Sequence, residues 1–129
     1  YLWRLAEVVK PGTPQVFCGD YNIAPRDKDV WNRAFFEGKT HVTEPERAAF
    51  ANLLESGLAP ITHEEPYSYW DYKAMRFQKN EGMLIDFQLT GMEGRGFVDK
   101  HEREGKGASD HAPVVADYDI SRTLIDDVR

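Results

Sequence analysis

The 129-residue chain has a single cysteine, Cys18, so no disulfide can form within it. Cys18 ends the short apolar run 15–18, and the expectation there is a small buried hydrophobe in a reducing compartment. Positive charge is also in deficit, since 16 Lys and Arg face 22 Asp and Glu for a net charge of −6. That balance excludes a protein that coats nucleic acid by bulk electrostatics, while local basic patches stay open. No apolar run approaches the roughly 20 residues of a membrane-spanning helix, and no leader peptide is visible. These absences set the expectation of a cytoplasmic chain with no membrane partner. Repeats and low-complexity segments are lacking too.

What is present reads as one globular domain's worth of chain, with 41% hydrophobic and 29% charged residues. The first residue is Tyr1 rather than Met, and Leu2, Leu5, Ala6 and Val9 recur at helical spacing with no capping residue before them. The chain therefore reads as a portion of something longer. Pro11-Gly12 ends that helix. Residues 15–18 read as a short buried strand, and Gly19 opens a loop. Thr43 predicts a helix N-cap with Glu46 completing a capping box. Ala49, Phe50, Leu53 and Leu54 form the helix's apolar stripe, and Gly57 its stop. The aromatic stretch YSYWDY, 67–72, predicts a strand, and 73–82 an exposed polar loop. Further strands are expected at 83–90, briefly at 97–98 after a turn over 91–96, and at 113–118. The tail over 120–129 is ambiguous. Strands and helices mix without regular alternation, which favours a layered α/β or α+β sandwich.

Polar residues gather where strands end. Asp20 and Asn22 follow one strand in GDYNIAP, Asp86 lies within MLIDFQLT, and Asp110-His111 precede another strand in ASDHAP. Strand ends are where a rigid scaffold presents side chains to a shared cleft. A carboxylate inside an apolar strand is costly unless partnered, and a histidine is a suitable partner. By spacing alone, Asp20 and Asn22 serve equally as turn formers, Asp110 as a cap beside a solvated His111, and Asp86 as a satisfied structural acid.

Taken together, GDYNIAP, TEPERAAFANLLESGL, YSYWDY, NEGMLID and SDHAPV resemble the C-terminal half of exonuclease III-type AP endonucleases, within the endonuclease/exonuclease/phosphatase superfamily. The resemblance runs from about Gln15 to Tyr118. It implies half of a four-layer, DNase I-like α/β sandwich: a mixed β-sheet with helices on one face. Residues 1–129 would form the C-terminal portion of one such domain, its N-terminal half absent. A lone half would expose an apolar sheet face and self-associate.

The resemblance also implies a metal-dependent DNA repair nuclease with AP endonuclease and 3′→5′ exodeoxyribonuclease activity. The partner would be double-stranded DNA with abasic sites or 3′ ends, and the ion Mg²⁺ or, in its place, Mn²⁺. Catalytic roles fall on Asp20, Asn22, Asp86 and His111: orienting water, binding the phosphate, charging the imidazole and contacting the phosphate. Metal-site roles fall on Asp20, Asn22, Asp110 and His111. DNA contact falls on Tyr69, Trp70, Lys73, Arg76, Lys79 and Asn80, although YSYW serves equally as strand core and the basic residues as solvated charges. Two other readings stand beside this one: another phosphoesterase of the superfamily, or a non-catalytic DNA-binding module. The family's metal-binding glutamate has no match here, so the isolated chain is expected to be inactive. GMEGRG replaces a longer helical connection, and Met83-Leu84 stand where the family often has an aromatic or aliphatic residue followed by arginine.

Overall fold

The computed structural model describes residues 2–118; Tyr1 and the ambiguous 120–129 tail lie outside the described residues. In order, the elements are α1 (Leu2–Glu7), β1 (Val16–Asp20), α2 (Glu44–Glu55), β2 (Ala59–Pro60), β3 (Asp86–Thr90), β4 (Gly94–Val98) and β5 (Val114–Tyr118), with short 3₁₀ turns between them. β3 is the centre of a three-stranded antiparallel sheet in the order β1-β3-β2, and β4 pairs with β5 as an antiparallel hairpin. The segment after β2 ties the two sheets. Ile61 N–H donates to Gln88 O at 3.1 Å, and Thr62 forms a single parallel bridge with Arg95. The architecture is α/β with antiparallel ladders, and among the described residues the parallel component of the expected mixed sheet is confined to that bridge.

Period-2 alternation in β3 sorts its side chains. Phe87 and Leu89 are buried beside Phe50 and Leu53 of α2, with Leu2, Leu5 and Ala6 of α1 packed on the same cluster. Both helices thus cover one face. Asp86, Gln88 and Thr90 point the other way. Gln88 donates to Val114 O at 2.7 Å, and Thr90 Oγ1 to Gln15 O at 2.8 Å. The apolar face of β3 is therefore structural, and the polar face is left to position groups.

Helix α2 starts where its sequence cap lies. Glu46 N–H donates to Thr43 Oγ1 at 3.4 Å, and Pro45 falls in the first turn. The box closes differently from the expectation: Glu46 Oε1 accepts from His41 N–H and from the Thr43 hydroxyl. Gly57 leaves the helix with φ +108°, a conformation that a Cβ would strain.

Several expectations need correction. YSYWDY is not a strand; it makes only isolated bridges, from Tyr69 to Met83 and to His111. Its aromatics are used for packing between segments rather than for a ladder. The strand expected at 83–90 begins at Asp86, because Met83 and Leu84 spend their backbone groups on Tyr69 and Asp29. Residues 94–96 belong to β4 rather than to a turn, so the short connection continues straight into the hairpin. Cys18 is exposed, because it shares the polar face with its register partner Gln88. The 73–82 segment is anchored: Arg76 and Phe77 are half-buried, and Arg76 pairs with Glu81 at 2.9 Å.

Candidate active site

Register delivers the first two acids. Asp20 ends β1 directly opposite Asp86, which begins β3, so two carboxylates share one sheet end. Asp20 Oδ1 accepts the Asn22 N–H at 2.8 Å, closing a turn in which Asn22 takes φ +53°. Turn-forming thus occupies one oxygen of Asp20 and leaves Oδ2 to face the site. Asn22 sits in a conformation uncommon for a side-chain-bearing residue, as strained positions at functional sites often do.

His111 enters from the segment before β5. The Ala112 N–H donates to Ser68 O at 2.8 Å, and the Trp70 N–H to Asp110 O at 3.0 Å, so the peptides on both sides are tied down. The imidazole then lies among three carboxylates. Its Nδ1 is 2.8 Å from Asp86 Oδ2, while Nε2 is 3.6 Å from Asp20 Oδ2 and 3.9 Å from Asp110 Oδ1. The Tyr69 ring stands across it, with centroids 5.1 Å apart.

Electrostatics follow from that crowding. Burial pulls the His111 pKa down, but the hydrogen bond and charge of Asp86, then Asp20 and Asp110, outweigh it and raise the value. Burial pushes the Asp86 carboxyl up, opposed by hydrogen bonds from His111 and Ser68. The imidazole's direction follows from the geometry, since three carboxylates face one ring. The arrangement can present a cationic N–H at Nε2, with a carboxylate oxygen beside it. An oxygen atom about 2.8 Å from both Asp20 Oδ2 and His111 Nε2 fits that 3.6 Å gap.

Asp20, Asp86 and His111 also bring one ligand atom each to within 4.8 Å of one another, a group able to hold a metal ion. Asp86 and the Nδ1 edge of His111 are committed to each other. Within that group Asp20 Oδ2 is therefore the open hard donor, with Asp110 Oδ1 3.9 Å from the same ring nitrogen, and such oxygens suit an ion that takes one or two carboxylates and keeps its waters.

The residues expected to meet DNA divide. Tyr69 lines a cleft of about 360 Å³ with Trp31, Phe35, Arg76 and Met83, next to the imidazole. Lys73 and Lys79 are exposed. Trp70 is not available as a surface group: it is 1% exposed, and its ring packs on Phe77. The Asn80 side-chain oxygen is spent on Trp70 Nε1 at 3.0 Å and Lys100 Nζ at 3.2 Å. Arg76 is held by Glu81 and lies 4.4 Å over the Trp31 ring. Sequence spacing cannot separate these core uses from contact. Two residues escaped it altogether. Ser68 is fully buried, and its Oγ accepts from the Ile85 and Asp86 N–H groups. Its only trace in sequence is a small hydroxyl between aromatics. Arg103 is buried with no local signal at all.

No protein-family model matches the chain. An exodeoxyribonuclease of Streptococcus pneumoniae is 32% identical over 128 residues, covering 93% of this chain and 46% of that protein. A DNA repair nuclease, APEX1, of Danio rerio is 32% identical over 78% of this chain and 35% of its own length. Among solved structures, the 3′ phosphatase NExo from Neisseria bound to a product DNA hairpin superposes with TM-score 0.79 at 31% identity, over 92% of this chain and 52% of that one. An AP endonuclease from Archaeoglobus fulgidus gives 0.78 at 26% identity, over 92% and 50%. The chain spans between about a third and a half of the length of the relatives it matches.

Proposed function

We propose, from a chain that is homologous to exodeoxyribonuclease III and AP endonucleases over most of its length, that it forms the phosphate-facing portion of a DNA repair nuclease. The reaction is hydrolysis of a DNA phosphodiester, at abasic sites and from 3′ ends. Residues 1–129 are then part of one endonuclease/exonuclease/phosphatase domain. The observation that carries this reading is His111, held by Asp86 at 2.8 Å with Nε2 turned to Asp20 at the shared sheet end.

Each residue has a separate task. His111 donates from Nε2 to a non-bridging phosphoryl oxygen, and its charge opposes the negative charge that builds there. Asp86 fixes the ring's orientation and keeps the proton on Nδ1. Asp20 Oδ2 orients the attacking water and accepts its proton as the water oxygen bonds to phosphorus and the bond to the departing sugar oxygen breaks. The Asn22 amide donates to the phosphate. Mg²⁺, or Mn²⁺ in its place, would be held by Asp20 and Asp110, and when bound it supplies Lewis-acid neutralisation of phosphate charge. Tyr69 and Lys73 are the groups left free to meet DNA, beside an exposed Lys79 that Glu81 holds at 3.8 Å. The opening of the apolar face around Phe97 and Val115, 47% and 40% exposed, supports self-association.

The test is cleavage of a labelled duplex with one abasic site in Mg²⁺. The chain alone should leave it intact. Fused behind the N-terminal part of the Streptococcus pneumoniae exodeoxyribonuclease, it should cleave, and His111→Ala in that fusion should lose roughly 10²–10⁴-fold in rate. A folded fusion that leaves the duplex whole but hydrolyses a phosphoinositide would move the chain to another phosphoesterase class.

A further inference from the structure

Arg103 closes the 3₁₀ turn Lys100–Arg103 and is only 8% exposed. Its Nη2 donates to Trp70 O at 3.2 Å, while the N–H of the same Trp70 donates to Asp110 O at 3.0 Å. One residue's backbone therefore links the guanidinium to the peptide beside His111. The guanidinium carbon lies 5.0 Å from the Tyr72 ring and 4.9 Å from Phe77. Tyr72 in turn donates from its hydroxyl to Ala108 O at 2.7 Å, a second tether on the segment that carries Asp110 and His111.

This placement is costly. Among the described residues Arg103 makes no ion pair with an acid, and its Nε is buried with no hydrogen-bond partner. A buried cation without a counter-charge and an unsatisfied N–H both disfavour the fold, and an apolar side chain of similar size would avoid them. Packing between two aromatic rings needs no charge. A flat, rigid fork that reaches a carbonyl while sandwiched between rings does need guanidinium.

We propose that Arg103 is a positioning residue, fixing the Trp70 peptide and through it the Asp110–His111 segment. The functional meaning rests on the reading of that segment as phosphate-facing. The mechanical claim does not.

The experiment compares Arg103→Met and Arg103→Lys with the parent chain by thermal unfolding, amide hydrogen exchange and the downfield proton resonance of His111 Nδ1. Arg103→Met should unfold at the same or a higher temperature. Its Trp70 amide should nonetheless exchange at least roughly tenfold faster, with core amides of β3 unchanged. The His111 resonance should broaden. Arg103→Lys keeps the charge without the fork and should show the same local loosening, so it decides the matter if the methionine variant fails to fold. Unchanged Trp70 exchange and an unchanged His111 resonance would overturn the proposal. So would a uniform rise in exchange across the core, which would mark Arg103 as packing alone. None of these readouts involves DNA, so their failure would leave the nuclease reading standing.

Discussion

Each ring nitrogen of His111 faces a carboxylate, and that has a consequence for stability. The folded chain holds the imidazole proton to a higher pH than the unfolded chain does, because Asp86, Asp20 and Asp110 together outweigh the burial that opposes it. Stability from this source is fully present below the unfolded value near 6.5 and is lost as pH rises through the folded value. Asp86, raised by burial, carries the same sign at lower pH. Urea midpoints should therefore fall between pH 6 and 8, and His111→Gln should flatten that part of the slope. An identical slope in the variant would mean that the ring carries no linked proton. The sites of Asp20, Asp86 and His111 were legible in sequence because polar groups at strand ends break an apolar pattern. The burial of Trp70 and the engagement of Asn80 and Arg76 are not legible there, because they depend on which of several possible partners, here Phe77, Lys100, Glu81 and Trp31, each side chain meets.

Helix α2 and the β4–β5 hairpin fix the scaffold by different means. The Thr43 hydroxyl satisfies one orphan N–H, so Thr43→Ala should cost about 1 kcal/mol in a urea titration. Gly96 has no room for a side chain: a Cβ there would collide with the backbone oxygen of Val115. Gly96→Ala should split the hairpin at that pair and cost at least the roughly 1–3 kcal/mol of an overpacked core, seen as lost exchange protection along β5. Protection equal to the parent's would show that the hairpin shifts freely. Among the elements, α2 and β5 could be read from local signals. YSYWDY could not, since aromatic richness suits a strand and an interlocked loop alike, and only the bonds of Ser68 and Tyr69 to Met83 and Ala112 decide between them.

At the scale of the whole molecule, a net charge of −6 means that under the proposed function DNA contact must be local. Lys73 lies exposed in the cleft that Tyr69 lines, Lys79 is exposed with Glu81 at 3.8 Å, and Arg76 is held more closely by Glu81 and Trp31. Lys73→Ala and Lys79→Ala should each reduce the salt dependence of duplex binding by about one unit of slope. Arg76→Ala should lower stability and leave that slope unchanged. A lower slope for Arg76→Ala would place its guanidinium on the phosphate backbone instead.

The proposed function requires a DNA phosphate to bind at the sheet end that carries Asp20, Asn22 and His111. It is tested most directly by following the His111 imidazole and Asn22 amide resonances while a duplex with a single abasic-site analogue is added without metal. These two signals should shift most, together with Tyr69, and His111→Gln should abolish the response at Asn22. Saturable binding that moves only signals remote from this sheet end, with His111 and Asn22 unchanged, would contradict it.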